Sequence, residues 1–347
     1  MGTLPLTPTF ALDFGSDVRS SPLETERMAI TAEAAGYDGV LVTEITHDPF
    51  IGLALAARAT ERVRLMSGIA VAFARNPMSM ATLGNDIHLV SEGRFVLGLG
   101  SQVRPHIERR FSMPWSQPAK RMNEYILAVR AIWESWSTGG RLDFRGEFYQ
   151  HTLMTPFFDP GPNPHGNAPI WLAAVGERMT EVAGSAADGL ISHSFTTRDY
   201  LEQVSLPALR RGRASAGREA GVLQVSVPAL VAIGTDQSSL DAAALATRKQ
   251  IAFYGSTEAY RPVLALHGWE QLADGLHAAS RRGEWDAMAQ MIDDDVLHAF
   301  AVTGSPAEVA AGLRERFSGI ATRLTLNAPY EIDPLALDAV LAELAPR

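Results

Sequence analysis

The sequence contains no cysteine, so disulfide bonds, thiolate metal sites and cysteine nucleophiles are all excluded. It also lacks an excess of positive charge, because 30 Lys and Arg stand against 39 Asp and Glu, and a formal net charge of -9 argues against a nucleic-acid or anionic-membrane surface. The sequence contains no run of about 18 apolar residues, the length that would span a bilayer. Residues 1–6 carry no basic leader. We therefore predict a soluble, cytoplasmic protein whose partner is a small molecule.

Several catalytic signatures are missing as well. The histidines form no H-E-x-x-H helix and no repeated carboxylate-histidine pattern, so we predict no metal. G-x-S-x-G is absent, which leaves a hydrolase nucleophile elbow without support. Residues 98–103 (GLGSQV) resemble a dinucleotide fingerprint, but Val103 replaces the third glycine and the turn follows the fourth predicted strand rather than the first. These glycines fit a structural turn and a close ligand contact equally well.

Three repeated strand–turn–helix units occupy residues 38–104. Their strands, at 38–44, 63–73 and 94–100, are almost continuously apolar, as is typical of parallel strands that are buried on both faces. Pro49 and Pro77 stand where the following helices begin, a position that suits proline because the first amides of a helix have no intrahelical partner. The pattern predicts an α/β fold.

The alternation of strands and helices continues to the end of the chain. Further strands are predicted at 9–14, 170–174, 189–193, 223–233 and 323–326, and further helices at 22–35, 120–137, 177–187, 201–216, from 306 onward and at 336–344. Insertions are predicted at about 101–118, a loop; 139–168, with a small hairpin at 142–149; and 236–303, mostly helical. Residues 1–347 are therefore predicted to form one (β/α)8 TIM barrel domain with a helical insertion before strand eight, with a doubly wound sheet as the alternative.

Parallel α/β folds bind ligands at the carboxyl ends of their strands, where this chain carries several polar residues. Glu44 and His47 follow strand two and His193 follows strand six, and a histidine there can move protons or be purely structural. Small residues precede a helix at 172–178, where unpaired amides could bind an anion or simply allow close helix packing. Positive charge at the same rim would come from Arg75, Arg104, Arg109, Arg110 and Arg178.

Four segments resemble one known family: 44–50 (EITHDPF), 70–77 (AVAFARNP), 93–100 (GRFVLGLG) and 251–256 (IAFYGS). Together they make the chain, from Phe10 to about Leu326, similar to the bacterial-luciferase-like oxidoreductases, and especially to the branch that uses the deazaflavin coenzyme F420. The resemblance implies a (β/α)8 barrel of that type, a flavin or deazaflavin at the carboxyl rim, and a homodimer.

The resemblance also implies roles for individual residues. A non-proline cis peptide is expected at Gly68-Ile69, behind the cofactor ring, and a phosphate site after strand five. From their positions, we further predict that His47 donates or accepts the proton, with Glu44 tuning it or bonding the ring. The residues predicted to bind the cofactor are Glu44, Gly68, Ile69, Gly100, Ser101, Ala173, Ala174, Val175, Gly176 and Arg178. Those predicted to face the substrate are Gln102, counted with the catalytic residues, His106 and His193.

From these expectations, the chain is predicted to be an oxidoreductase that transfers a hydride between coenzyme F420 and a small organic substrate. Glu44 is followed by Ile45, whereas the family's sugar-phosphate dehydrogenases have a catalytic histidine there, which puts that activity in doubt. One alternative is an FMN-dependent monooxygenase, since a flavin forms an oxygen adduct that a deazaflavin does not readily form. The other is a non-catalytic, flavin-binding barrel.

Overall fold

The computed structural model describes residues 10–15, 19–218 and 223–344. These residues group into two compact units. The larger unit comprises Leu12–Ile191 and Ala208–Gln224, and the smaller unit comprises the described residues of Met1–Ala11, Ser192–Pro207 and Val225–Arg347. Thr9, where the first strand was predicted to begin, lies outside the described residues. The single domain remains a prediction.

The larger unit is built on a parallel sheet whose strands follow one another in sequence order. Its strands are β1 (Ala11–Gly15), β2 (Gly39–Val42), β3 (Arg64–Ser67), β4 (Ala70–Val71), β5 (Phe95–Gly100), β6 (Phe144–Arg145), β7 (Gln150–His151), β8 (Ile170–Ala173) and β9 (Gly189–Ile191). The order in the sheet is β1-β2-β3-β5-β8-β9, with β4 beside β5. Strands β6 and β7 pair antiparallel, which confirms the predicted hairpin.

The smaller unit contains the remaining strands, β10 (Gln224–Ile233), β11 (Ala301–Gly304) and β12 (Arg323–Asn327). Strand β10 pairs in parallel with both β11 and β12. With β3 and β4 counted as one interrupted strand, β1, β2, β3, β5, β8, β9, β10 and β12 are the eight parallel strands of a (β/α)8 barrel. The predicted fold class is confirmed, and the doubly wound alternative is rejected.

Helices separate the strands as the sequence predicts. They are α1 (Pro22–Ala34), α2 (Pro49–Ala59), α3 (Pro77–Val90), α4 (Arg104–Arg109), α5 (Pro118–Thr138), α6 (Glu177–Ala186), α7 (Arg198–Tyr200), α8 (Leu206–Ser215), α9 (Gln237–Gly255), α10 (Arg261–Leu266), α11 (Glu270–Arg282), α12 (Trp285–Gln290), α13 (Asp294–Phe300), α14 (Pro306–Phe317) and α15 (Pro334–Leu344). Residues Ala72–Ala74 and Glu258–Tyr260 form 3-10 turns. Among the described residues, no helix is long and apolar enough to cross a membrane.

Side-chain caps explain where the helices begin. Asp48 accepts a hydrogen bond from the Phe50 amide at 2.9 Å, and Asn76 accepts one from the Ser79 amide at 2.9 Å, just before the prolines that open α2 and α3. Ser305 and Glu308 form a reciprocal capping box at α14. Such caps satisfy amides that have no partner within the helix, typically worth about 1 kcal/mol each.

Three local predictions were wrong. The strand predicted at 63–73 is divided into β3, β4 and a 3-10 turn, and the cis peptide Gly68-Ile69 lies between the two strands. The loop predicted at 101–118 contains α4, which has Pro105 in its first turn, where proline favours a helix. The helix predicted at 201–216 begins earlier, at α7, and contains a π-helical segment at Leu201–Ser205.

The core of the larger unit takes one side chain from each of five neighbouring strands. Leu41, Met66, Val96, Trp171 and Ile191 form this cluster and are at most 7% exposed. Leu41 pairs with Met66, and Met66 with Val96, so these three side chains point to the same face of the sheet. Two partly buried residues, Ile69 and Ala173, pack against the cluster.

Two glutamates of the larger unit hold loops through backbone amides. The Glu33 carboxylate, at the end of α1, accepts hydrogen bonds from the amides of residues 61, 62 and 63. Burial raises the pKa of Glu33, but these three bonds outweigh it and lower the pKa. Glu124 of α5 accepts hydrogen bonds from the amides of residues 147, 148 and 149 at 2.6 to 2.9 Å, which fixes the hairpin turn between β6 and β7.

Candidate active site

A buried carboxylate lies at the carboxyl end of β2. Glu44 is 8% exposed, and its Oε2 accepts hydrogen bonds from the Val71 amide at 2.7 Å and from Arg75 Nη1 at 2.8 Å. Arg75 reaches Asp48 Oδ2 with its other nitrogen at 2.6 Å. Burial would lower the pKa of Arg75, but its bonds to the two carboxylates raise it, so the guanidinium stays charged. The Glu44–Arg75–Asp48 triad joins the turns after β2 and β4.

This triad limits what Glu44 can do. One carboxylate oxygen is already occupied by an amide and a guanidinium, so the Glu44 side chain is held in place. His47 is exposed, and among the described residues no hydrogen bond joins it to Glu44. The proposed tuning of His47 by Glu44 therefore has no direct contact to act through, and the proton-transfer role of His47 remains a prediction.

The cis peptide is present at Gly68-Ile69, as predicted. A Cβ added to Gly68 would lie 2.1 Å from Leu41 Cγ, so only glycine fits against the core cluster. Ile69 follows the cis bond and lies partly exposed on that cluster, as does Ala173 at the end of β8. Ile69 and Ala173 thus form an apolar platform at the carboxyl ends of the strands, which we call the Ile69–Ala173 platform.

Gly98 and Gly100 lie within β5, and close packing requires glycine at both positions. Ser67 Oγ donates to the Gly98 carbonyl and accepts from the Gly98 amide, both at 2.9 Å, and a Cβ on Gly98 would lie 1.9 Å from the Ser67 carbonyl oxygen. A Cβ on Gly100 would lie 2.7 Å from Ile69. A structural role is thus supported for both glycines of residues 98–103, but in a strand and not in the predicted turn. Gly100 also borders the platform through its contact with Ile69.

Residues 101 and 102 follow directly after β5. Ser101 Oγ donates to the Gln102 carbonyl at 3.1 Å, and the Gln102 side chain accepts from the Val103 amide at 2.9 Å. Gln102 adopts a φ of 58°, a left-handed conformation that is uncommon for a residue other than glycine. Both side chains are partly exposed. The Gln102 side-chain oxygen is therefore held by the next backbone amide, and no hydrogen bond of its side-chain nitrogen occurs among the described residues.

The segment after β8 ends in a helix without a side-chain cap. Ala173 is partly exposed, Ala174 is buried, and Val175 leads to Gly176, the N-cap of α6. A Cβ on Gly176 would meet no atom within 4 Å, and no side chain caps the amino end of α6. Helix amino termini carry unpaired N–H groups and a partial positive charge that attract anions. The burial of Ala174 agrees with the packing interpretation of 172–178, and the anion site remains a prediction.

Arg178 lies in the first turn of α6, on a cleft between helices. The cleft is also lined by Lys120 of α5 and by Arg211 of α8. Arg211 pairs with Glu177 and Glu181, and Lys120 with Glu147, whereas no ion pair of Arg178 occurs among the described residues. Arg178 therefore adds an uncompensated positive charge near the amino end of α6.

The remaining rim residues surround α4. His106 is exposed on α4, and Arg104 pairs with Glu108 one turn later. Arg110, which ends the helix, donates a hydrogen bond to the Ile45 carbonyl at 2.7 Å and so ties α4 to the turn that carries His47. The expected positive rim is only partly realised, because the charges of Arg75 and Arg104 are balanced by neighbouring carboxylates.

His193 belongs to the smaller unit and is bonded through both ring nitrogens. Its Nδ1 accepts from the Phe195 amide at 2.9 Å, and its Nε2 lies 3.1 Å from the Tyr260 hydroxyl. Burial lowers the pKa of His193 to about 4, so the ring is neutral at ordinary pH. Burial also raises the pKa of Tyr260, with a contribution from Tyr254, to about 12.

Sequence reasoning missed three of these residues. Asp48 was noticed only as part of a motif and Arg75 only as a rim charge, because nothing in their spacing shows that they meet Glu44. Tyr260 belongs to no recognisable sequence motif.

No group of three or more His, Asp or Glu that could hold a metal ion occurs among the described residues. The absence of a metal from the whole protein remains a prediction.

The family model described as luciferase-like monooxygenase matches residues 9–323. The chain belongs to this luciferase-like family. An uncharacterized protein of Mycobacterium tuberculosis is 52% identical over 296 residues, covering 85% of this chain and 87% of that relative. The 5,10-methylenetetrahydromethanopterin reductase of Archaeoglobus fulgidus is 25% identical over 333 residues, covering 93% and 94%. The comparisons support a luciferase-like oxidoreductase.

Solved structures of other proteins show the same fold. The coenzyme F420 dependent tetrahydromethanopterin reductase of Methanopyrus kandleri superposes with a TM-score of 0.77 at 20% identity, covering 96% of this chain and 97% of that one. The oxygenating constituent of 3,6-diketocamphane monooxygenase from Pseudomonas putida, in complex with FMN, gives 0.66 at 17% identity, covering 97% and 96%. Both support the barrel assignment, and neither decides between the two cofactors.

Proposed function

We propose that this luciferase-like protein is an F420-dependent oxidoreductase that transfers a hydride between the deazaflavin and a small organic substrate. The observation that carries the proposal is the Ile69–Ala173 platform, in which Ile69, after the cis peptide, and Ala173, at the end of β8, pack partly exposed on the same core cluster. An apolar face at the carboxyl ends of parallel strands suits one side of a planar ring. The named relative from Archaeoglobus adds support for a reductase.

The residues present fit such a cofactor at two points. The open amino end of α6, at Gly176 and next to Arg178, provides amides and charge for a phosphate group. The Ile69–Ala173 platform, bordered by Gly100 and the 101–102 turn, would hold the ring. When bound, the deazaflavin supplies the carbon that gives or takes the hydride.

The protein's own residues position the reactants and manage the proton. The Glu44–Arg75–Asp48 triad holds the backbone at Val71, two residues beyond Ile69, and so keeps the platform rigid. His47, exposed in the turn that follows Glu44, is our candidate for exchanging a proton with the substrate. Gln102 and His106 are proposed to face the substrate.

The test is a fluorescence titration of the purified protein with coenzyme F420 and, separately, with FMN. We expect saturable binding of F420 and at least tenfold weaker binding of FMN. Binding of neither would favour the non-catalytic interpretation. For the proton, a His47→Asn variant should bind F420 as tightly as the wild type and turn over substrate more slowly, and unchanged turnover would remove His47 from the mechanism.

The second candidate is an FMN-dependent monooxygenase. The similarity in fold to the FMN-bound oxygenating protein of Pseudomonas putida favours it, since the same platform would accept either ring. Oxygen consumption with supplied reduced FMN separates the two candidates. Consumption that depends on an added organic substrate would favour the monooxygenase, and its absence together with F420 binding would favour the reductase.

A further inference from the structure

An uncharged hydrogen-bonding pair lies in an aromatic cluster of the smaller unit. The His193 ring stacks on the Tyr260 ring at a centroid distance of 4.5 Å and an interplanar angle of 27°. Behind them, Phe195 stacks on Phe300 at 4.4 Å, and Phe195 lies 5.7 Å from Tyr260. Phe195 and Phe300 are at most 3% exposed, whereas His193 and Tyr260 are partly exposed. The polar pair thus forms the accessible side of an apolar cluster.

The hydrogen bonds fix the tautomer of His193. Because the Phe195 amide donates to Nδ1, this nitrogen carries no hydrogen. The neutral ring must then carry its hydrogen on Nε2, which donates it to the Tyr260 hydroxyl oxygen. The hydroxyl hydrogen of Tyr260 is therefore not used by His193, and no acceptor for it occurs among the described residues.

The surroundings of this hydroxyl select for an uncharged ligand. His193 is neutral and Tyr260 is protonated at ordinary pH, so neither can balance a charge. The nearest charged side chain along the chain, Arg261, pairs with Asp274. An anion or cation would lose its hydration here without gaining a counter-charge, which is costly in an apolar site.

We propose that the Tyr260 hydroxyl, positioned by His193, donates a hydrogen bond to the carbonyl or hydroxyl oxygen of a neutral ligand with an apolar ring or chain. The inference concerns the smaller unit alone and stands apart from the proposed cofactor site. Tyr260 provides the donor, Phe195 and Phe300 support the aromatic surface against which an apolar body packs, and His193 acts as a positioning residue.

The test measures ligand binding directly and does not depend on the cofactor. Saturation-transfer NMR on the full chain compares cyclohexanone, a neutral ring ketone, with cyclohexanecarboxylate, a charged molecule of similar shape. We expect cyclohexanone to bind at least tenfold more tightly. Tyr260→Phe keeps the ring and loses only the hydroxyl, so it should weaken cyclohexanone binding about tenfold, as expected for one lost hydrogen bond.

Two controls make the result decisive. Tyr37→Phe removes a hydroxyl just before β2, where the ring packs edge-to-face on Phe14, and should leave binding unchanged. Tyr260→Phe should remain folded with a small drop in melting temperature, because His193 Nε2–H loses its acceptor, and should keep the wild-type F420 affinity. Equal binding of cyclohexanone by the wild type and Tyr260→Phe, or a preference for the carboxylate, would overturn the inference. Failure of F420 to bind any variant would instead overturn the proposed function.

Discussion

The open amino end of α6 provides the sharpest test of the cofactor proposal. Gly176 has a φ of -78° and a ψ of 152°, which any residue can adopt, and a side chain there would enter free space. A substitution to Asp or Ser should therefore be accommodated without strain. Both residues are favourable N-caps, so the folding stability of either variant should equal or exceed that of the wild type by a few tenths of a kcal/mol. The two variants differ chiefly in charge.

That difference should appear in cofactor binding. Two unit charges ~6 Å apart repel each other by ~0.7 kcal/mol in water and by ~3 kcal/mol at an effective dielectric constant of 20. Because Gly176 is exposed, we expect a value toward the lower end, and Gly176→Asp should bind F420 ~3- to ~20-fold more weakly than Gly176→Ser.

The assay is a fluorescence titration of F420 with each variant at low and at high salt. The gap between the Asp and Ser variants should shrink as salt rises, because exposed charges are screened. Equal dissociation constants for the two variants at low salt would refute a phosphate site at the amino end of α6. A loss of binding in both variants would instead point to competition by any capping side chain for the same amides.

Three further predictions concern stability. Gly98→Ala should lower the free energy of unfolding by at least ~3 kcal/mol, because its Cβ would meet the Ser67 carbonyl at 1.9 Å and backbone cannot move aside cheaply. Arg75→Met should cost ~2–4 kcal/mol by leaving a buried carboxylate without its cation, whereas Arg104→Met, 66% exposed, should stay within ~0.5 kcal/mol. His193→Gln should flatten the pH dependence of unfolding between pH 6.5 and 4.

The sign of the last prediction follows from the histidine's two states. The unfolded ring has a pKa near 6.5 and the folded ring one of about 4, so the unfolded chain binds more protons between these values. Stability from this group is complete above pH 6.5 and falls by up to ~1.4 kcal/mol per pH unit as the pH drops toward 4. Urea denaturation at several pH values measures all three effects. Slopes that coincide for the wild type and His193→Gln, or equal losses for the two arginine variants, would contradict the reasoning.

Much of the fold follows from local sequence. The apolar runs at β2, β5 and β10 are long and continuous enough to be recognised as buried parallel strands, and prolines after Asp48 and Asn76 mark helix starts to the residue. Short features were less predictable. Six residues of α4 offer too few helical turns for a periodic pattern, and the π-helical segment before α8 leaves no mark in composition.

The candidate site was predictable only in part. The resemblance to the luciferase-like family located the cis peptide, and the chemistry of helix ends pointed to Gly176. The partners of Glu44 could not be found in this way, since Arg75 lies 31 residues further along the chain. His193 was recognised by its position after a strand, whereas its bond to Tyr260 spans 67 residues and depends on how the helical insertion folds.

Glu124 has a consequence for loop engineering. The turn of the β6–β7 hairpin is organised by a carboxylate that lies 23 to 25 residues before the amides it binds. The turn therefore needs a backbone N–H at 147, 148 and 149, which bars proline from all three positions, while Gly146 is fixed because a Cβ there would lie 2.0 Å from Glu124 Oε1. A hairpin grafted from this protein into another barrel would lose its shape unless the acceptor helix were grafted with it.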